Sequence, residues 1–92
     1  MKDKILTLHP EGKKGVNISI KKYETIKNYI VQNLKSKGTI TYQQLNQEAI
    51  TELTPTFDGK VGWYLVTVKL DLEARGIIKR IPKTSPHQIK LA

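Results

Sequence analysis

An α+β domain, three helices closed by a C-terminal β-hairpin, is what this sequence predicts. Three observations predict it. The stretch V-G-W-Y-L-V-T-V-K-L-D-L-E-A-R-G at 61–76 has helical periodicity and stops at a glycine. The segment that follows at once, I-I-K-R-I-P, alternates as a strand, and Q-I-K-L at 88–91 alternates as its return. Upstream lie two further apolar stripes at helical spacing, each preceded by a hydroxyl residue fit to cap a helix.

Residues 1–18 read as a basic N-terminal arm. Pro10, Gly12 and Gly15 break any regular period, and E-G-K-K-G is turn-like. Within the arm, residues 5–8 either form a short strand or pack on the domain. Residues 19–92 read as the folded domain. Its first helix is expected from Ile20 to Lys37. The Ser19 hydroxyl can accept from an orphan backbone N–H, and Ile18 can pack on Tyr23 as a hydrophobic staple. Tyr23, Ile26, Ile30 and Leu34 form the buried stripe. Lys35 and Lys37 suit the negative end of the helix dipole, and Gly38 suits the stop.

Thr39 and Ile40 fit a two- or three-residue strand. T-Y-Q-Q at 41–44 has capping-box form and opens a second helix, expected from Tyr42 to Leu53 with Leu45, Ala49 and Leu53 inward and Ile50 beside them. Pro55 prevents its continuation. Asp58 is the candidate cap of the third helix, expected over residues 60–75. Strands over 77–81 and 88–91 follow, joined by P-K-T-S-P.

On a helical wheel the third helix divides into four sides. Val61, Leu65, Val68 and Leu72 fall together and must face the core. Trp63, Val66, Leu70 and Ala74 fall opposite. Two polar strips separate them: Lys60, Thr67 and Asp71 with Tyr64 at the edge, and Gly62, Lys69 and Glu73 on the other flank. A helix with two opposed apolar faces is either sandwiched, its second face receiving the hairpin or the arm, or it offers that face to a partner. The element order is that of a winged helix-turn-helix, with the hairpin as the wing.

Charge points to a polyanion. The net charge is +8. Residues 1–37 carry nine Lys against three acids, residues 38–59 carry three acids and no Lys or Arg, and residues 60–92 carry seven basic against two acidic residues. Basic ends on a winged helix suit double-stranded DNA. The third helix would then enter the major groove with Lys60, Trp63, Tyr64 and Thr67 toward the bases. Phosphates would meet Lys79, Arg80, Lys83 and Lys90 on the hairpin, Thr84, Ser85 and His87 at its tip, and Lys13 and Lys14 in the arm. The helix lacks the Arg, Asn and Gln that pair bidentately with base edges, and Asp71 and Glu73 would repel phosphates. Excess lysine is also a common solubility device. The rival reading is a protein-interaction or homodimer module using Trp63, Val66 and Leu70. RNA binding by the same basic surfaces ranks third.

Other classes find little support. There is no cysteine, so disulfides and thiolate metal sites are excluded, which fits a cytoplasmic protein. The apolar run near the start is too short for a signal peptide core or a membrane span. His9 and His87 are far apart and read as surface residues. Glu48 and Glu52 share a helix face without a partnering His or Asp. No phosphate-binding glycine loop, Ser-His-Asp pattern or zinc ligand set occurs. Neither catalysis, a cofactor, a metal nor a small-molecule ligand is expected.

The runs H-P-E-G-K-K-G-V-N-I-S at 9–19, W-Y-L-V-T-V-K-L-D-L-E-A-R-G-I-I-K-R at 63–80 and S-P-H-Q-I-K-L at 85–91 together resemble a small family of bacterial stand-alone winged-helix proteins with no assigned activity. More broadly, L-D-L-E-A-R-G-I-I-K-R is similar to the recognition-helix end and first wing strand of winged-helix regulators, including MarR-like ones. The DNA-binding reading makes a transcriptional regulator the expected role, and the resemblance implies the fold. It does not carry over a ligand pocket or a dimer form: the tip K-T-S-P lacks the Asp and Arg of MarR-like wings, and no flanking dimerisation helices are evident.

Overall fold

The computed structural model describes residues 3–82 and 87–92. Its elements are β1 (Lys4–Leu6), β2 (Asn17–Ser19), α1 (Ile20–Lys37), β3 (Thr39–Thr41), α2 (Tyr42–Leu53), α3 (Val61–Ala74), β4 (Ile78–Ile81) and β5 (Gln88–Leu91). Three helices pack with a three-stranded antiparallel sheet in which the last strand lies in the middle, β3-β5-β4. This is an α+β winged-helix arrangement, with β4 and β5 as the wing.

Local signals set most boundaries. The Ser19 hydroxyl accepts the Lys22 N–H at 3.3 Å, and the Thr41 hydroxyl accepts the Gln44 N–H at 3.1 Å, so both expected caps form. The return half of the capping box does not form. The Gln44 side chain instead donates to Glu48 at 3.0 Å. α3 ends in a Schellman motif: the Gly76 N–H reaches the Glu73 carbonyl, the Ile77 N–H reaches the Leu72 carbonyl at 2.9 Å, and Gly76 has φ 76°. A β-carbon disfavours that left-handed turn, and the turn sends the chain straight into β4.

Asp58 does not cap α3. Lys60 is the N-cap and makes no side-chain bond, while the Asp58 carboxylate stands in solvent 3.9 Å from Lys22 Nζ. The turn is organised by rings instead. Phe57 and Tyr64 meet edge to face at 5.1 Å, and Lys22 Nζ lies 5.2 Å from the centre of the Tyr64 ring.

The arm is built rather than loose. β1 and β2 pair antiparallel with Ile5 opposite Ile18, and the connection folds back on itself. The Thr7 N–H donates to the Val16 carbonyl at 2.9 Å, and the buried Thr7 hydroxyl accepts the Val16 N–H at 3.1 Å. Any β-carbon at Gly15 would sit 1.7 Å from the Thr7 carbonyl oxygen, so only glycine lets the two backbones approach.

The core lies where every element meets. Ile26, Ile30 and Leu34 of α1, Leu45 and Ala49 of α2, Val61, Leu65, Val68 and Leu72 of α3, and Ile40, Ile78 and Ile89 of the sheet are all buried. Ile89 of the central strand faces Ile40 on one side and Arg80 on the other.

Candidate interaction surface

Each side of α3 has a different neighbour. The expected core stripe is the core stripe. The charged members of the two polar strips within the helix, Lys69, Asp71 and Glu73, are turned into seams with neighbouring elements, and both acids are paired there instead of facing solvent as free charges. On the flank toward α2 and the wing, Lys69 is only 5% exposed. Its Nζ lies 3.0 Å from Glu73 Oε2 and 5.3 Å from the centre of the Tyr42 ring. On the flank toward α1 and the arm, Asp71 is fully buried and collects three donors. The Leu8 N–H reaches it at 2.8 Å, the Tyr23 hydroxyl at 2.5 Å and Arg75 Nε at 2.9 Å. Burial, then the bond to Asp71, raises the Tyr23 pKa to about 12. The Asp71 bond likewise raises the Arg75 pKa. Asp71 thus ties α1, α3 and the arm together and keeps no free charge.

The fourth side, Trp63, Val66, Leu70 and Ala74, faces outward. Trp63 is 46% exposed, held by an edge-to-face contact with Tyr64 at 4.9 Å. The arm does not cover it. The arm loop stands alongside, so that Leu8, Lys14 and Val16 form one wall of a groove and Trp63, Thr67 and Leu70 the other. Leu6 and Leu8 continue the apolar surface past Ala74. On the opposite flank, Gly62 lies over Asn46 and Ile50 of α2. The result is a band running from Ile50 across α3 to the arm. Its six most accessible members, Leu6, Leu8, Val16, Ile50, Trp63 and Val66, are 36 to 54% exposed. They are six of the seven large apolar side chains exposed among the described residues, Ile20 being the seventh.

The residues expected to contact DNA are dispersed. Lys60 is exposed at the start of α3, and Thr67 lines the groove. Tyr64 is turned away from the outward face, into the seam with α1. Lys79 and Lys90 stand directly opposite each other, on the face of the sheet away from buried Ile78 and Ile89. Arg80, one residue on, takes the other face. Its charge is one of the causes, after burial and Lys69, that hold the His87 pKa below its ordinary value. His87 is no free tip residue. Its ring stacks on Tyr42 at 5.7 Å, and its carbonyl accepts the Tyr42 N–H at 3.1 Å. Lys13 pairs with Glu11 at 3.3 Å, and Lys14 lines the groove. Lys83, Thr84 and Ser85 lie outside the described residues. The cations therefore occupy at least three faces.

The sequence reading missed Asp71 as a hub, and Leu6, Leu8, Val16 and Ile50 as neighbours of Trp63. For the hub a signal existed: Asp71 and Arg75, like Lys69 and Glu73, are spaced i, i+4. For the apolar neighbours there was none, since chain folding alone brings them together. Glu48 is spent on Lys37 at 2.7 Å, and that bond is the main reason its pKa is lowered. Among the described residues no group of three potential metal ligands occurs, and no helix is long and apolar enough to cross a membrane.

No curated protein and no solved structure matches the chain. One family does, over residues 4–89, which takes in the arm, all three helices and most of the wing. The chain belongs to that family, a family of unknown function, DUF6958.

Proposed function

We propose that this winged helix is a protein-docking module whose contact surface is the outward side of α3, widened by the arm and by Ile50. One observation carries the reading: among the described residues, six of the seven exposed large apolar side chains are gathered in a single band around the chain's only tryptophan. Scattered exposed apolar residues are ordinary, but a contiguous band marks an interaction site. Half-exposed tryptophan is a frequent anchor of such sites. The same side of α3 offers no amide or guanidinium group to a base edge, which favours protein over major groove. Selection of a random peptide library on the immobilised protein tests the reading. Selected peptides are expected to lose binding to Trp63→Ala and Val66→Lys variants whose circular dichroism is unchanged. Peptides that bind those variants as well as the parent would place the contact elsewhere.

A second reading has its own support. Lysines directly opposite across two strands repel, and neither Lys79 nor Lys90 has an acidic partner among the described residues. With a net charge of +8, that pair suits the phosphates of double-stranded DNA, as in a cytoplasmic winged-helix transcriptional regulator. In this reading Lys60 and Thr67 probe the groove. Duplex affinity should then fall steeply with salt, and Lys79→Glu with Lys90→Glu should abolish it. Unchanged affinity in that double variant removes the wing contact.

A further inference from the structure

We infer that the occupant of the α3 band is an acidic amphipathic helix of another protein; the inference rests on the docking reading above. Shape is the first reason. Trp63, Val66 and Leu70 are spaced i, i+3 and i+7, the stripe against which a second helix packs its own apolar side chains. The arm loop walls one flank of that stripe with Leu8 and Val16, so a helix laid there is held on two sides.

Charge selects the partner. Every acid of α3 and of the arm loop is already engaged: Asp71 with Arg75, Glu73 with Lys69, and Glu11 with Lys13. The rim is left with Lys14 in the groove wall and exposed Lys60 at the start of the same flank. A second copy of this +8 chain would set cationic rim against cationic rim. A helix with carboxylates beside its apolar stripe meets Lys14 and Lys60 with the opposite sign, which sets both register and choice of partner.

Trp63 is the only tryptophan and lies in the site, so its emission reports occupancy. The probes are two designed peptides of about four helical turns, with the same Leu and Phe stripe and either Glu or Lys at the flanking positions. The Glu peptide should shift Trp63 emission to the blue and saturate. Its affinity should fall about tenfold between low and high salt. The Lys peptide should bind at least tenfold more weakly, and Lys14→Glu with Lys60→Glu should reverse the preference. Equal response to both peptides, or a shift given by duplex DNA alone, overturns the inference. If neither peptide binds and the protein instead sediments as a dimer that Trp63→Ala dissolves, the docking reading stands and the partner chemistry is wrong. If neither binds and the protein stays a monomer at millimolar concentration, both fall.

Discussion

Removing the Asp71 carboxylate should cost this domain a large part of its stability, and the size follows from its bonds. The side chain has no exposed surface and accepts from Leu8 N–H, Tyr23 O–H and Arg75 Nε. In Asp71→Ala two of those donors lose their acceptor, the phenol in a buried site and the Leu8 N–H in a partly buried one. Each orphaned group costs about 1–3 kcal/mol. Arg75 loses its partner but is 34% exposed at the side chain and can turn to water, so its share is small. The total expected is about 2–6 kcal/mol, against the roughly 5–15 kcal/mol that hold a typical domain. Asp71→Asn should cost about 1–2 kcal/mol, because the amide oxygen can keep the Leu8 N–H while its NH₂ donates to the Tyr23 oxygen. Urea denaturation followed by circular dichroism measures both. Amide exchange at Leu8 reports the arm separately and should accelerate strongly in Asp71→Ala. A loss below about 1 kcal/mol in Asp71→Ala, with Leu8 still protected, would refute the hub.

Three further outcomes are expected. Because the Tyr23 pKa is raised from 10.0 to about 12, the folded state holds its proton where the unfolded chain releases it. Stability is therefore full below pH 10 and should fall by about 1.4 kcal/mol per unit up to about pH 12, a slope that Tyr23→Phe should lessen. His87 works in the opposite direction. Its folded pKa is depressed below 6.5, first by burial and then by Lys69 and Arg80, so its contribution is present above pH 6.5 and is lost on acidification below it. An imidazole titration by NMR giving a value at or above 6.5 would contradict the stacked, half-buried ring. Finally, Gly15→Ala should open the Thr7–Val16 closure and expose the arm backbone to exchange while the three helices remain. Protection of the Val16 amide equal to that of the parent would show that the arm closes some other way.

The helices were legible where their signals are local. Ser19 and Thr41 cap α1 and α2 because a hydroxyl three residues ahead of an N–H needs nothing else from the fold. Gly76 stops α3 for the same kind of reason. Asp58 failed as a cap because capping depends on backbone angles, and the turn was fixed by the Phe57–Tyr64 contact, which no spacing rule reveals. The arm strands, three residues each, are too short for alternation to register, and their pairing is set by Thr7, Gly15 and the distant Asp71. Trp63, Val66 and Leu70 were readable as one stripe. The polar strips were misread because a wheel gives a direction and not what stands in it. Lys69 and Asp71 point into neighbours, and only pairing with Glu73 and Arg75 makes that burial tolerable.

Whether the arm covers the outward side of α3 is decided by where the arm is fastened. Two fixed points hold it. Leu8 is bonded through its N–H to Asp71, which lies on the α1 flank of the helix and not on its crest. Gly15 is pressed against Thr7, which keeps the loop narrow. Between those points the loop lines the groove beside Trp63 and Leu70 and leaves Val66 exposed, and Leu6 and Leu8 stay more than two-fifths exposed. Burying that apolar surface would stabilise the domain at about 25 cal/mol per Å². The same chain spends a fully buried carboxylate and an obligatory glycine on holding the arm aside. An arm that served only stability would lie across the band; one anchored at its edge leaves the band open, as the proposed docking requires.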